Sequence, residues 1–122
     1  NYRRAYYLCQ TAFYNIAIST VGAFAGLAFK TRQTKTSVTL TNSDVFVSCY
    51  NTSAITINMP SNPTVGKVLF IADINGRGIT LNGNGKSIYT DRTYSSVPSS
   101  GQGQISLMIY DGQYWKWNSI KW

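Results

Sequence analysis

The residues best suited to chemistry sit in one stretch, ITLNGNGKSIYT, residues 79–90. Gly85-Lys86-Ser87 matches the closing half of a phosphate-binding loop, where backbone N–H groups, a lysine and a hydroxyl hold an anion. That loop needs a second glycine five residues earlier, and the position holds Thr80. It also needs a helix after the serine, whereas SIYT reads as strand. Asn82-Gly83 and Asn84-Gly85 are better read as turn dipeptides, as is Asn75-Gly76, because these residues tolerate positive φ.

Other chemistry has few residues to draw on. The chain has no His and no Glu, and its carboxylates are Asp44, Asp73, Asp91, Asp111 and the C-terminus. Two Asp residues could act as a glycosidase pair, but their spacing does not favour it. We assign no catalytic residue, no metal ligand and no cofactor. Cys9 and Cys49 form no CxxC motif and read as two buried thiols. Asn51-Thr52-Ser53 is a glycosylation sequon, relevant only to a chain secreted by a eukaryote. Trp115, Trp117 and Trp122 could stack on sugars but read first as core. The remaining candidates are contact residues. Tyr89, Arg92 and Tyr94 lie at or in a long polar stretch, and Arg77 and Lys86 lie in turns. Aromatic rings beside cations suit an anionic glycan, through stacking and charge-assisted hydrogen bonds.

The charge balance points the same way. The net charge is +7, yet the eleven Lys and Arg residues are dispersed, with loose groups only at Arg3-Arg4 and Lys30/Arg32/Lys35. Dispersed cations argue against nucleic acid and suit a diffusely acidic surface. Charged residues make up only 12% of the chain, against about 25% in an average soluble domain. A surface this poor in charge is expected to be partly buried against other copies.

The elements that must position these residues fall into two parts. Residues 1–35 read as an apolar shaft or attachment segment, and the chain opens on Asn1, as a fragment or processed product would. Residues 5–29 carry no charge, span enough length for a bilayer and contain Gly22-x-x-x-Gly26. Gln10, Thr11, Asn15, Ser19 and Thr20 dilute that stretch, so burial between subunits is preferred over a membrane span or a signal peptide. Residues 36–122 read as β-rich. Runs of Val, Ile, Thr, Phe and Tyr between Asn, Gly, Ser and Pro clusters predict strands at 36–41, 45–50, 54–59, 67–72, 78–82, 105–110 and 113–118.

Three details sharpen this. In AITINM, Ile55, Ile57 and Met59 share one face, and Ala54, Thr56 and Asn58 the other. A Val/Ile-Thr-Leu/Ile unit recurs at 38, 55 and 79; spacings of 17 and 24 residues are too unequal for a solenoid repeat but predict similar strands stacked together. Residues 67–72 and 78–82 are spaced as a hairpin, which would bring Arg77 and Lys86 towards the polar stretch 90–103, itself read as a loop. In ISLMIYDGQYWKWN, Asp111-Gly112 predicts a two-residue type I′ turn pairing Tyr110 with Gln113 and Met108 with Trp115. Met108, Tyr110, Trp115 and Trp117 then share one hairpin face, and Ile105, Leu107, Ile109 and Tyr114 the other. Two apolar faces again suggest association.

These motifs resemble a known group. PSNPTVGKVLFIADINGRGITLNGNGKSI followed by QISLMIYDGQYWKW is similar to the distal domains of tailed-phage tail fibres and related virion appendage proteins. Shared features are a Pro-x-x-Pro-x-x-Gly turn before a strand ending in Asp73, an Ile-Thr-Leu-x-Gly-x-Gly-x-x-Ile unit and an Ile-Tyr-Asp-Gly-x-x-Trp hairpin. The likeness covers residues 54–118, and the segment between Asp73 and Ile79 is shorter than in many such proteins. It implies an all-β, short-stranded β-sandwich or β-prism-like domain, homotrimeric, on the virion surface. Its partners would be other virion proteins and a host-surface glycan or receptor. It carries over no catalytic residue. The rival readings are a structural fibre cap, a membrane-anchored surface adhesin and a depolymerase fragment.

Overall fold

The computed structural model describes residues 28–99 and 101–121. Those residues are all-β, in two mixed sheets. In chain order the strands are β1 (Thr31–Thr34), β2 (Val38–Thr39), β3 (Phe46–Cys49), β4 (Ile55–Asn58), β5 (Val68–Asp73), β6 (Ile79–Asn82), β7 (Ile88–Tyr89), β8 (Thr93–Tyr94), β9 (Ser96–Pro98), β10 (Gln104–Tyr110) and β11 (Trp115–Lys121). The first sheet has seven strands in the order β1-β3-β5-β10-β11-β7-β8, and the second has four, β2-β4-β6-β9. Residues 1–27, and with them Cys9 and most of the expected apolar segment, lie outside the described residues. No described helix is long and apolar enough to cross a membrane.

The first six strands alternate between the sheets. Each step from β1 to β2, β3 to β4 and β5 to β6 makes one coil, and successive coils stack in parallel. The recurring Val/Ile-Thr-Leu/Ile units are the neighbours β2, β4 and β6, as expected of stacked strands. Ile55, Thr56, Ile57 and Asn58 face Ile79, Thr80, Leu81 and Asn82 one for one. The unequal spacings do not prevent coil stacking, because the extra residues are taken up in corners. This arrangement also corrects the expected hairpin of 67–72 with 78–82. The connection after β5 crosses to the other sheet, so β5 and β6 are not paired.

Asparagine side chains tie the corners together. Asn51 donates to the carbonyls of Ser53 and Gly78, and Asn75 donates to the Asn51 carbonyl one coil back. At the opposite end, Asn42 donates to the Asn62 carbonyl and accepts from the Thr64 N–H, and Asn84 donates to the Met59 carbonyl. Asp44 anchors the first coil. Its fully buried carboxylate accepts from the Thr41 N–H at 2.8 Å and from Arg32 Nε and Nη2 at 3.0 and 3.1 Å. Burial alone would raise this carboxyl, but the Thr41 N–H, Arg32 and Lys30 outweigh it and hold it below the usual aspartate value.

The β10–β11 hairpin departs from expectation in its turn. Tyr110 pairs with Trp115 and Met108 with Trp117, two residues out from the predicted register. The Asp111 N–H bonds the Tyr114 carbonyl, and the Asp111 carboxylate accepts from the N–H groups of Gln113 and Tyr114. Asp111 is therefore the residue before the turn, and Gly112-Gln113 form its centre. Only Gly112 has positive φ, at 101°, the pattern of type II′. The type I′ turn occurs at Asn84-Gly85, with φ values of 53° and 95° and a Lys86 N–H to Gly83 carbonyl bond. That geometry makes Gly85-Lys86 part of a tight turn, as the turn reading expected.

A slip of two residues leaves side chains on the same faces. Met108, Tyr110 and Trp115 are buried and Trp117 is partly buried, all in one core with Val47, Leu69 and Ile71 of the large sheet and Ile55, Ile57, Met59, Ile79 and Leu81 of the small one. Cys49 lies in the same core; burial first, and Asp73 second, push its thiol up to about 12. The stretch 90–103 is not simply a loop. It holds β8 and β9, and Val97 enters the core while β9 pairs with β6. Its Ser- and Pro-rich composition conceals an edge strand, where Pro98 costs no ladder bond that the sheet needs.

Candidate surface-contact site

Strand β7 lies parallel to β11 with Ile88 opposite Trp115 and Tyr89 opposite Lys116. Ile88 and Trp115 point into the core, so alternation turns Tyr89 and Lys116 outwards. Tyr114, just before β11, stacks on Tyr89 with ring centroids 5.8 Å apart and planes 28° apart. Lys116 Nζ sits 4.1 Å from the Tyr89 centroid and 5.4 Å from that of Tyr114. Asp111 completes the cluster, 3.6 Å from Lys116 Nζ. The Tyr114 and Gln113 N–H groups, with Lys116 adding less, hold the Asp111 carboxyl below its ordinary value. The exposed Tyr89 ring and the half-buried Tyr114 ring, with an ammonium over the first and a carboxylate beside that ammonium, can contact a sugar ring and bond its polar groups.

The sequence-based candidates are dispersed. Arg77 and Lys86 lie beyond opposite ends of β6, a strand of about 13 Å. They do not share one rim, contrary to the hairpin expectation. Arg92 and Tyr94 are gathered by Asp91 instead: its carboxylate accepts from Thr90 Oγ1, Tyr94 Oη and Arg92 Nε at 2.8, 3.1 and 3.3 Å. The Thr90 and Tyr94 hydroxyls, above all, keep that carboxyl low. In the β7–β8 pair Tyr94 is opposite Ile88 and Thr93 opposite Tyr89. Tyr89 and Tyr94 therefore leave the pair on opposite faces. Tyr89 alone among the five joins the cluster. Tyr114 and Lys116 were missed, although their shared face was legible in the hairpin; the pairing of β7 with β11 was not.

The other chemical candidates have structural duties. Asp73 is buried and accepts from the Gly76 N–H and the Ser99 hydroxyl. Asn51 is fully buried with its amide donating twice, so the folded chain cannot carry a glycan there. Among the described residues no group of three His, Cys, Asp or Glu side chains could hold a metal ion. Comparison with protein-family models gives no match, and comparison with curated proteins gives no significant one.

Proposed function

We propose that this chain is a β-rich virion appendage domain that helps attach a particle to host-surface glycan, without catalysis. In this reading it is homotrimeric, sits on the virion surface beside other virion proteins, and uses the residues ahead of β1 as shaft or attachment segment, Thr31–Thr34 being part of the large sheet. The ordered tail-fibre-like motifs over residues 54–118 support the class of protein. The observation that carries attachment is the stack of exposed Tyr89 on half-buried Tyr114, with Lys116 over the Tyr89 ring. Its rings are held by paired strands and a tight turn, so little ordering is needed on binding.

The test is competition. Purified full-length chain is added to particles that carry it, and adsorption to host cells is measured. Wild-type chain is expected to compete, and Tyr89→Ala with Lys116→Ala to lose at least tenfold in potency with its melting temperature held. Arg92→Ala with Tyr94→Ala serves as the comparison. If that pair abolishes competition and the first does not, contact lies on the β7–β8 turn. If neither matters, the domain is a fibre cap.

A further inference from the structure

We propose that the cleft over Asp73 is a binding site for the primary ammonium group of an amino sugar. This goes beyond the attachment reading and does not rest on it, because the cleft lies at the other end of the large sheet from the Tyr89 cluster. Asp73 closes β5 opposite Gln104, and Trp115 sits opposite Tyr110 at the far end of β10, roughly 20 Å away along that strand. The cleft opens where the chain passes from β5 to β6, beside the end of β9. Its volume of about 320 Å³ suits a ligand of one ring. Ala54, Gly76, Gly78, Thr80 and Pro98 form an exposed lip. Asp73 is the floor, only 2% exposed, with half-buried Ser99 bonded to it.

The four aspartates set the chemistry by contrast. Asp44 is as deeply buried as Asp73, and the chain supplies its cations, Arg32 at 3.0 Å and Lys30 at 4.0 Å. Asp91 has Arg92 at 3.3 Å, and Asp111 has Lys116 at 3.6 Å. Asp73 alone has no cation partner among the described residues. Its Oδ1 accepts from the Gly76 N–H at 2.8 Å and its Oδ2 from Ser99 Oγ at 3.3 Å, both neutral donors. A carboxylate has about four lone-pair positions, so roughly two remain. A buried anion is costly until a cation and further donors meet it. At Asp44 the fold provides that cation; at Asp73 the carboxylate borders an open cleft instead.

Size and charge select the occupant. An ammonium is compact and carries three donors. It can use the lone pairs left on Asp73 and the Ser99 oxygen, which gives its proton to Asp73 and still accepts. Ala54 and Pro98 offer short apolar surface to the carbons of a ring, and Thr80 opposite Pro98 offers a hydroxyl. A polyamine or a basic peptide is disfavoured by the chain's own +7. A single cation inside the cleft answers chiefly to Asp73, because charges beyond about 8 Å are screened. Arg77 falls between two glycines of the lip but does not line the cleft. A calcium ion would need several more oxygen ligands than one aspartate brings.

The experiment is a titration of the full, nitrogen-15-labelled chain with glucosamine, followed by nuclear magnetic resonance at matched salt. The amides of Gly76 and Gly78 report on the cleft, and that of Gly112 is the distant reference. Glucose and N-acetylglucosamine present the same ring without the charge. Expected are saturable shifts at Gly76 and Gly78 with glucosamine only, and an affinity roughly tenfold or more lower in Asp73→Asn, in line with hydrogen bonds to charged groups. Ala54→Phe narrows the lip and leaves the carboxylate in place, so it is expected to weaken binding too, and it carries the test should Asp73→Asn misfold. N-acetyl-lysine amide puts the same ammonium on a protein side chain, and tighter binding of glucosamine supports the sugar as its source. Tighter binding of the lysine compound overturns that source. Equal shifts with glucose overturn the ammonium, and the same shifts with calcium chloride alone assign the cleft to a metal. No saturable shift with either amine overturns the proposal outright, whatever the outcome of the adsorption test.

Discussion

The coil region, β1 to β6, and the hairpin region, β10 to β11, solve strand registration in different ways. Coil strands are two to six residues long and mostly parallel. Parallel neighbours cannot be joined by a tight turn, so each passes through the other sheet before returning. Registration then falls to the corners, where Asn42, Asn51, Asn75 and Asn84 bond backbone groups of the adjacent coil. The hairpin has seven paired residues per strand and one short turn. Its registration comes from Asp111 and from indole packing beneath the sheet. Polar side chains thus do in one region what chain connectivity does in the other.

The largest expected effect tests how far the coils depend on the hairpin. Trp115 is fully buried and packs in the core shared by both sheets. Trp115→Ala should cost about 3–5 kcal/mol, the range for large aromatic truncation. Denaturant unfolding followed by far-ultraviolet and by tyrosine signals should remain a single transition. Two separated transitions would show the coils to be a self-sufficient unit and break the comparison.

Next comes the anchor of the first coil. Asp44→Ala leaves the Thr41 N–H and Arg32 without their acceptor and should cost about 2–4 kcal/mol. The pH dependence has a definite sign. Asp44 is held below its ordinary value in the folded state, so its contribution is present above about pH 3.9 and is lost as pH falls through the lower folded value. Melting temperature measured from pH 5 to pH 2 should fall more steeply for wild type than for Asp44→Asn. Parallel curves would remove Asp44 from the acid response.

The smallest effect belongs to the hairpin turn. Gly112→Val meets only ordinary contact with Val65, at 3.5 Å, so its cost is backbone strain at φ 101°. About 1–3 kcal/mol is expected, read as a lowered melting temperature.

Much of this fold is legible in particular residues. ITIN and ITLN announce strands that bury alternate residues, and they stack in the register their likeness implies. The apolar alternation of ISLMIY and of YWKW places the core face correctly even though the turn is displaced. That robustness has a physical basis, since a two-residue slip preserves facing whereas a one-residue slip would invert it. The turn was misplaced because Asp-Gly has two uses: as the centre of a type I′ turn, or as an Asx-bonded residue followed by a type II′ glycine. Only the Asp111 side-chain bonds distinguish them. The contact cluster was half legible. Tyr89 is recognisable as an exposed aromatic, but its neighbours Tyr114 and Lys116 come from the end of the hairpin turn and the start of β11, twenty-five or more residues later in the chain.

By itself, the sequence determined the all-β character, the turn glycines, the inward and outward faces of most strands and the poverty of surface charge. These are local properties, set by side-chain alternation, positive φ and composition. The tertiary structure decided which strands are neighbours. It sent β5 and β6 to different sheets, placed β7 beside β11 and recruited β9 from a polar stretch. Strand adjacency depends on the total core that a topology buries and on corner bonds between distant residues. Neither quantity is written in any short window of the chain, and both are settled only when the two sheets close over one another.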